Sequence, residues 1–253
     1  MARKISRDEA HANHLLASLP DGDLERLLPF LAPVDLELGA VLYESGEPMD
    51  FGFFPTTAII SLLYIMESGS TAEIGVIGND GIVGSSIFLG GGTTTNRAVV
   101  QSAGRCLQIG SEELKREFKQ GGKFQDIFLL YTQALMTQIA QTAVCNRLHP
   151  IEQQLCRWLL LSHDRLSSDK LVMTHDLISN MLGVRREGIT LAAQKLAARK
   201  LITNRRGTIT VVDRTGLEHA ACECYEVVRN EYARLVGPIK RATVEQTAVQ
   251  MIN

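Results

Sequence analysis

Between Leu171 and Val212 the chain reads LVMTHDLISNMLGVRREGITLAAQKLAARKLITNRRGTITVV, and few folds accommodate that order of signals. Thr174 stands where a short helix needs a cap, and Ile178 and Leu182 give that helix its apolar side. Gly183 then supplies a residue that tolerates positive φ, as a tight turn requires. A longer helix opens on Arg185 and Arg186, with Val184, Ile189 and Leu196 continuing the apolar surface. Ser179 is small enough for the two helices to cross closely. Ile202–Val212 alternates as a hairpin that turns at Asn204-Arg205-Arg206-Gly207. Helix, glycine turn, helix and hairpin make a winged helix-turn-helix, whose second helix is shaped to enter the major groove of DNA. The plain alternative is an arbitrary helical hairpin, against which the number of matched positions stands.

Charge is distributed in the way such a motif needs. Residues 1–149 carry 11 Lys and Arg against 17 Asp and Glu, whereas residues 150–253 carry 15 against 11. Within residues 170–210 the balance is 8 basic against 2 acidic side chains. A local basic excess gains affinity for phosphates by counterion release, while an acidic remainder keeps a protein soluble.

Upstream the pattern is different. Short apolar stretches from Asn13 to about Phe30, broken by Pro20-Asp21-Gly22, predict short helices. From Pro33 to Ile109 the chain turns to β-type runs: Val41–Tyr43, Asp50–Phe54, Ala58–Ile65, Thr71–Val76, Ala98–Gln101 and Leu107–Ile109. Glu44-Ser45-Gly46, Glu67-Ser68-Gly69 and Asn79-Asp80-Gly81 separate them as turns. Many short strands at this spacing predict an antiparallel roll or sandwich. Glycines recur at 75, 78, 81 and 84 without the dinucleotide-binding fingerprint and with no helix expected directly after them, so they read as turn and close-packing positions. Ser111 is placed to cap a returning helix.

Phe124–Asn146 is a long, almost uncharged helix. Phe128, Tyr131, Leu135 and Ile139 mark one face, and Leu130, Ala134, Gln138 and Gln141 mark another. A helix this apolar must be covered on two sides, by the β-roll on one and by a partner helix in a dimer on the other. Thr215-Gly216-Leu217-Glu218 reads as a capping box that opens a final helix with Leu217, Ala221, Cys224, Val228 and Leu235 on one stripe. The last dozen residues read as frayed. The implied organisation is a β-roll at 13–123, a dimerisation helix at 124–148, a winged helix-turn-helix at 149–213 and a helical extension at 214–253. The fold class is α+β.

Other function classes find little support. The start of the chain has no secretory pattern, and the most apolar stretch, Phe51–Met66, is too short and too interrupted to span a membrane. Five cysteines without an export signal point to reduced thiols in the cytoplasm. Cys222-x-Cys224 lacks the spacing of a zinc knuckle and reads as ordinary helix, so no metal site is expected. No nucleophile elbow, P-loop or zincin motif occurs, and His163-Asp164 reads as a solvated helix end rather than a catalytic dyad, so the chain is not expected to be an enzyme. The remaining alternative is a ligand-binding module that acts on a protein partner without touching DNA. Such a module would need neither Arg185 and Arg186 at a helix start nor a basic wing.

From Leu15 to Asp213 the architecture resembles the Crp/Fnr family of bacterial transcription regulators. The resemblance is strongest over Thr174–Ile189, where Arg186-Glu187 matches the Arg-Glu pair that opens the family's recognition helix. Gly46 matches an early turn glycine, and Asn79–Gly84 resembles the segment leading into the family's phosphate-binding cassette. Two departures stand out. Where cyclic-AMP-binding members place a carboxylate on the ribose, this chain has Gly84-Ser85-Ser86, and Arg97 alone remains as a phosphate partner. Residues 1–30 also lack the cysteines that hold an iron–sulfur centre in oxygen-sensing members. Cyclic AMP is therefore not expected as the effector, which is left as another small molecule contacting Gly84, Ser85, Arg97, Ala98 and Gln138.

The resemblance implies double-stranded DNA, a second copy of the chain and RNA polymerase as partners. Arg186 and Glu187 are the candidates for base contacts, since a bidentate arginine reads guanine and a carboxylate accepts from cytosine. Arg185, Thr190, Leu191 and Gln194 share their face. Thr174, Arg205 and Arg206 are candidates for phosphate contacts.

Overall fold

The computed structural model describes residues 4–239 and 241. Three short helices open it, α1 (Arg7–His11), α2 (His14–Ala17) and α3 (Asp21–Leu27), followed by a 3-10 turn at Leu28–Phe30. Buried Asn13 fastens them to the body. Its carboxamide oxygen caps α2 by accepting from the amides of Leu15 and Leu16, and its Nδ2 donates to the carbonyls of Pro55 and Gly81.

Seven strands follow: β1 (Ala32–Leu36), β2 (Val41–Tyr43), β3 (Phe51–Pro55), β4 (Ile59–Ile65), β5 (Thr71–Ile77), β6 (Arg97–Ser102) and β7 (Gly104–Gly110). They form two antiparallel sheets, ordered β1-β7-β3 and β2-β6-β4-β5. Phe54, Ile59, Ile60, Val100 and Ile109 are fully or almost fully buried in their shared core. β1 escapes the sequence pattern because Pro33 interrupts it, and it lies at a sheet edge, where a missing amide donor is tolerated. A four-residue helix, α4 (Ser85–Phe88), starts directly after Gly84, contrary to the expectation of no helix there. Gly78 and Gly81 are close-packing positions as read. A methyl at Gly78 would meet the Arg165 side chain at 2.8 Å, and one at Gly81 would overlap the Tyr131 ring.

Helix α5 (Ser111–Lys119) takes Gly110 rather than Ser111 as its cap residue. The long α6 (Gly122–Leu148) comes next and ends at His149, and α7 (Ile151–His163) begins after Pro150. Then come β8 (Lys170–Val172), α8 (His175–Leu182), α9 (Arg186–Ala198), β9 (Ile202–Arg205), β10 (Thr208–Val211), α10 (Arg214–Ala220) and α11 (Glu223–Leu235). The predicted capping box is replaced by Asp213, whose carboxylate accepts from the Gly216 amide. The stripe from Leu217 to Leu235 also breaks into two helices at Ala221–Cys222. The frayed tail read from the sequence lies largely outside the described residues.

α7 is the joint between the two halves. Every residue from Gln154 to His163 is buried. Trp158 Nε1 donates to Glu73 on β5 at 2.9 Å, and Gln101 on β6 donates to Ser162 at 3.0 Å. Arg165 grips Asp80 through Nε at 2.9 Å and Nη2 at 2.5 Å, with both side chains almost wholly buried. Burial pushes the Glu73 carboxyl up to about 7. His163 and Asp164 are not a solvated helix end. His163 Nδ1 lies 2.8 Å from Arg214 Nη1, and Asp164 accepts from Arg214 at 2.6 Å and from Tyr225. Long-range packing of α10 and α11 covers them.

α11 also corrects the faces of α6. Tyr232 stands edge-on to Tyr131, with ring centroids 6.5 Å apart, Gln138 donates to Tyr232 and Gln141 donates to Cys224. Ala134 and Gln138 are therefore covered within the chain rather than held out for a partner helix. The open stripe instead runs through Leu130, Gln133, Thr137, Ala140, Val144 and Arg147, at the period of about 3.5 residues that suits a left-handed coiled-coil seam.

Candidate nucleic-acid interface

The helix-turn-helix is built as its residues dictate. The Thr174 hydroxyl accepts from the Leu177 amide at 3.1 Å and caps α8. Gly183 ends α8 at φ 64°, the left-handed region that a side chain disfavours. Ile178, Leu182, Ile189 and Leu196 are buried between α8 and α9. Gly188 lets α7 approach, since a methyl there would meet Ile151 at 2.7 Å.

The face of α9 turned away from that core is open. Arg185, Arg186, Glu187, Leu191 and Gln194 are exposed, and Leu191 keeps 55 % of its surface. Arg186, Glu187, Thr190, Leu191 and Gln194 line one shallow depression. Two arginines stand at the end of a helix where the macrodipole favours acidic residues. That placement costs stability in the free protein and suits an anionic partner. Asp176 on α8 holds Arg186 through its Nε at 3.2 Å, with both side chains 63 % exposed. An ion pair that open is worth about 0–1 kcal/mol and exchanges readily.

Thr190 is placed differently from its neighbours. It donates to the Arg186 carbonyl at 3.1 Å and lies 3.0 Å from His175 Nδ1, whose Nε2 lies 2.7 Å from Asn204 on the wing. This chain of contacts ties the reading helix to the wing. Sequence reasoning missed His175 and Asn204, because nothing in their spacing signals that α8, α9 and β9 meet there. It also missed β8, a three-residue strand that makes the wing a three-stranded sheet in the order β8-β10-β9. Arg205 and Arg206 are exposed, and the wing turns tightly at Arg206 (φ 34°) and Gly207 (φ 77°). Positive φ at both positions is the I′ geometry that matches strand twist. The turn between α8 and α9 abuts the β4–β5 hairpin, where the Thr71 hydroxyl donates to the Asn180 carbonyl at 3.1 Å.

The expected effector residues stand on three separate elements, α4 with its cap, β6 and α6. Arg97 donates to Glu44 through Nε at 2.7 Å and Nη2 at 2.5 Å, and these hydrogen bonds lower the Glu44 carboxyl below the usual carboxylate range. Gly84 and Ser85 start α4, and Ala98 is wholly buried on β6. Gln138 packs on β5, which is separated from β6 by β4, and it donates to the Val76 carbonyl at 3.0 Å. A cyclic nucleotide would meet no ribose carboxylate at Ser85 and a phosphate arginine already paired. Away from both regions, Cys145, His149, Cys222 and Cys224 bring four ligand atoms within 4.8 Å of one another.

Comparison with known proteins agrees with this geometry. Residues 33–121 match the family model of the cyclic nucleotide-binding domain, and residues 153–220 match that of the Crp-like helix-turn-helix domain. Together the two matches span more than half of the chain. No curated protein sequence matches it. Among solved structures, a putative Crp/Fnr-family transcriptional regulator from Eubacterium rectale is similar at 16 % identity and a TM-score of 0.62, covering 83 % of this chain and 98 % of its own. FixK2 from Bradyrhizobium japonicum is similar at 12 % identity and a TM-score of 0.64, covering 76 % and 98 %. The Xanthomonas campestris regulator CLP, described as responsive to cyclic di-GMP, is similar at 15 % identity and a TM-score of 0.61, covering 76 % and 99 %. At these identities the likeness carries the fold. No helix among the described residues is long and apolar enough to cross a membrane.

Proposed function

The chain belongs to the Crp/Fnr family of DNA-binding transcription regulators, and on that premise we propose that it works as a homodimer reading an inverted-repeat site. The observation that carries the reading is the solvent-open face of α9, where Arg186, Glu187, Thr190, Leu191 and Gln194 share one depression. Arg186 reads a guanine and Glu187 accepts from a cytosine N4. Arg185 and Gln194 add contacts alongside, while Thr190 sets the helix against His175. Thr174, Arg205 and Arg206 hold phosphates and fix the register. A second copy packs along the α6 seam, which gives the twofold axis that paired half-sites require. The β-roll of residues 13–123 modulates this activity, RNA polymerase is the downstream partner, and no catalysis is involved.

Leu191 sets the specificity. Leucine cannot donate to guanine O6 or N7, but its methyls can contact a thymine methyl. The half-site keeps the G·C pair read by Arg186 and Glu187 and has no guanine preference opposite Leu191. Selection from random duplexes tests this. Leu191→Arg should add a guanine preference at that position, and a wild-type half-site with two fixed guanines would overturn the assignment.

The effector is a small molecule other than cyclic AMP. Cyclic AMP should change neither DNA affinity nor melting temperature, because a ligand of the folded state must raise the latter by mass action. A saturable rise that disappears in Arg97→Ala would refute this.

A further inference from the structure

Four potential metal ligands meet where two parts of the chain join. Cys145 and His149 lie one helical turn apart at the end of α6, with His149 as its C-cap residue. Cys222 is the cap residue of α11, and Cys224 lies in its first turn. Cys145 Sγ is 3.5 Å from Cys222 Sγ, and Cys224 Sγ is 3.4 Å from His149 Nδ1. All four ligand atoms fall within 4.8 Å of one another. Two linear segments far apart in sequence thus contribute a thiol and an imidazole from one, and two thiols from the other.

We propose that Cys145, His149, Cys222 and Cys224 form a mononuclear zinc site that fastens the C-terminal helix to the end of the dimer helix. The spacing favours one ion. Zn–S bonds of about 2.3 Å place the corners of a tetrahedron about 3.7 Å apart, close to the two separations above. An iron–sulfur cluster would hold its ligands farther apart, because irons and sulfides stand between them. A Cys145–Cys222 disulfide would need the sulfurs at about 2.05 Å, well inside their separation.

The surroundings match a zinc site in three further respects. His149 turns Nδ1 toward the thiols and Nε2 toward Glu223 Oε1 at 3.5 Å. A histidine that ligates through one nitrogen characteristically donates the other N–H to a carboxylate, which fixes the ring. Gln141 donates to Cys224 Sγ at 3.1 Å, as a thiolate acceptor requires. Third, Arg157 lies beside Cys145 with only 2 % of its surface exposed. Its Nη1 donates to Thr142 at 3.1 Å and its Nε has no hydrogen-bond partner, while the Glu73 carboxyl acts on it through space without a direct ion pair. A buried cation with no carboxylate in direct contact is costly. Zinc with three thiolates and a neutral imidazole carries one net negative charge, which answers that cation. Binding releases the three thiol protons to solvent. Cys222 and Cys224 at the start of α11 also gain from the positive end of its dipole. The His149 side chain keeps 17 % of its surface, so the site opens to solvent on that edge.

The site closes the elbow at His149–Pro150, through which α6 passes into α7. Metal occupancy therefore sets how firmly the DNA-reading half is held to the dimer helix.

Metal analysis of the full chain, purified under reducing conditions from zinc-containing medium, tests this. The expected result is about one zinc per chain, released by a mercurial thiol reagent. Cobalt(II) in its place should give the intense ligand-field bands of a tetrahedral thiolate site. Stripping the metal from the wild-type protein should lower its melting temperature, and added zinc should restore it. Cys145→Ser and Cys224→Ser should lose the metal, while Cys106→Ser and Cys156→Ser keep it. Glu223→Ala should weaken zinc binding by about tenfold or more. Protein that holds no zinc and gives no cobalt spectrum would overturn the proposal. So would iron with acid-labile sulfide, a Cys145–Cys222 disulfide that survives purification under reducing conditions, or zinc retained by a Cys145→Ser, Cys224→Ser double variant.

Discussion

α7 and α9 are both thirteen-residue helices of the same DNA-binding half, and they are used in opposite ways. α7 is buried at ten consecutive positions, α9 only at Ile189, Ala192, Ala193 and Leu196. Each half-domain end has an Arg–Asp pair, Arg165–Asp80 next to α7 and Arg186–Asp176 at the start of α9. The first is wholly desolvated, while the second keeps 63 % of each side chain in water. A desolvated pair is costly to open, whereas an exposed one is replaced by a new partner at little cost. The difference teaches which end of the domain is anchored and which is kept available.

The comparison breaks most visibly at Asp80. Asp80→Ala leaves Arg165 buried without its counter-charge and should destabilise the protein by about 3–5 kcal/mol in urea unfolding. A loss below about 1 kcal/mol would mean that this end is no more anchored than the other.

Glu73 sharpens it through pH. Its folded pKa of about 7 lies above the ordinary 4.5, so the folded protein holds a proton that the unfolded chain gives up. Its contribution is fully present below pH 4.5 and is lost as pH rises through about 7, a change on the order of 3 kcal/mol. Glu73→Gln should flatten that slope of stability against pH between those limits. An unchanged slope would place the titration elsewhere.

The smallest effects belong to the open end. Arg186→Ala should cost about 1–3 kcal/mol at the selected DNA site and relax preference at one base pair. Arg205→Ala should weaken all sequences alike and lower the salt slope by about one phosphate contact. Gel shifts over a salt series separate the two, and an equal loss of specificity in both would undo the division of roles.

What was legible in the sequence follows the same division. α8, Gly183, α9 and the hairpin of the wing could be read because each rests on local periodicity and local turn chemistry. The burial of α7 could not, since Glu73 and Gln101, its polar partners, lie on distant strands, and Asp80, which holds Arg165 just beyond its end, lies in the turn after β5. The faces of α6 were misassigned for a related reason: what covers Gln138 is Tyr232, 94 residues away. Thr190 reads as a groove contact by helical angle and does line the depression, but only the positions of His175 and Asn204 show that it is also tied to α8 and the wing. Cys222-x-Cys224 looked inert because its complement, Cys145 and His149, belongs to another helix.

The packing around the Gly78–Gly81 loop constrains how this protein can change over generations. A side chain at Gly81 has no room while Tyr131 remains, and one at Gly78 has none while Arg165 is clamped to Asp80. Substitutions there are strongly non-additive, because the cost of each depends on a residue in another helix. A viable route to any other residue at 81 must pass first through a smaller side chain at 131. The order of steps, and not only their sum, is then set by a loop of four residues.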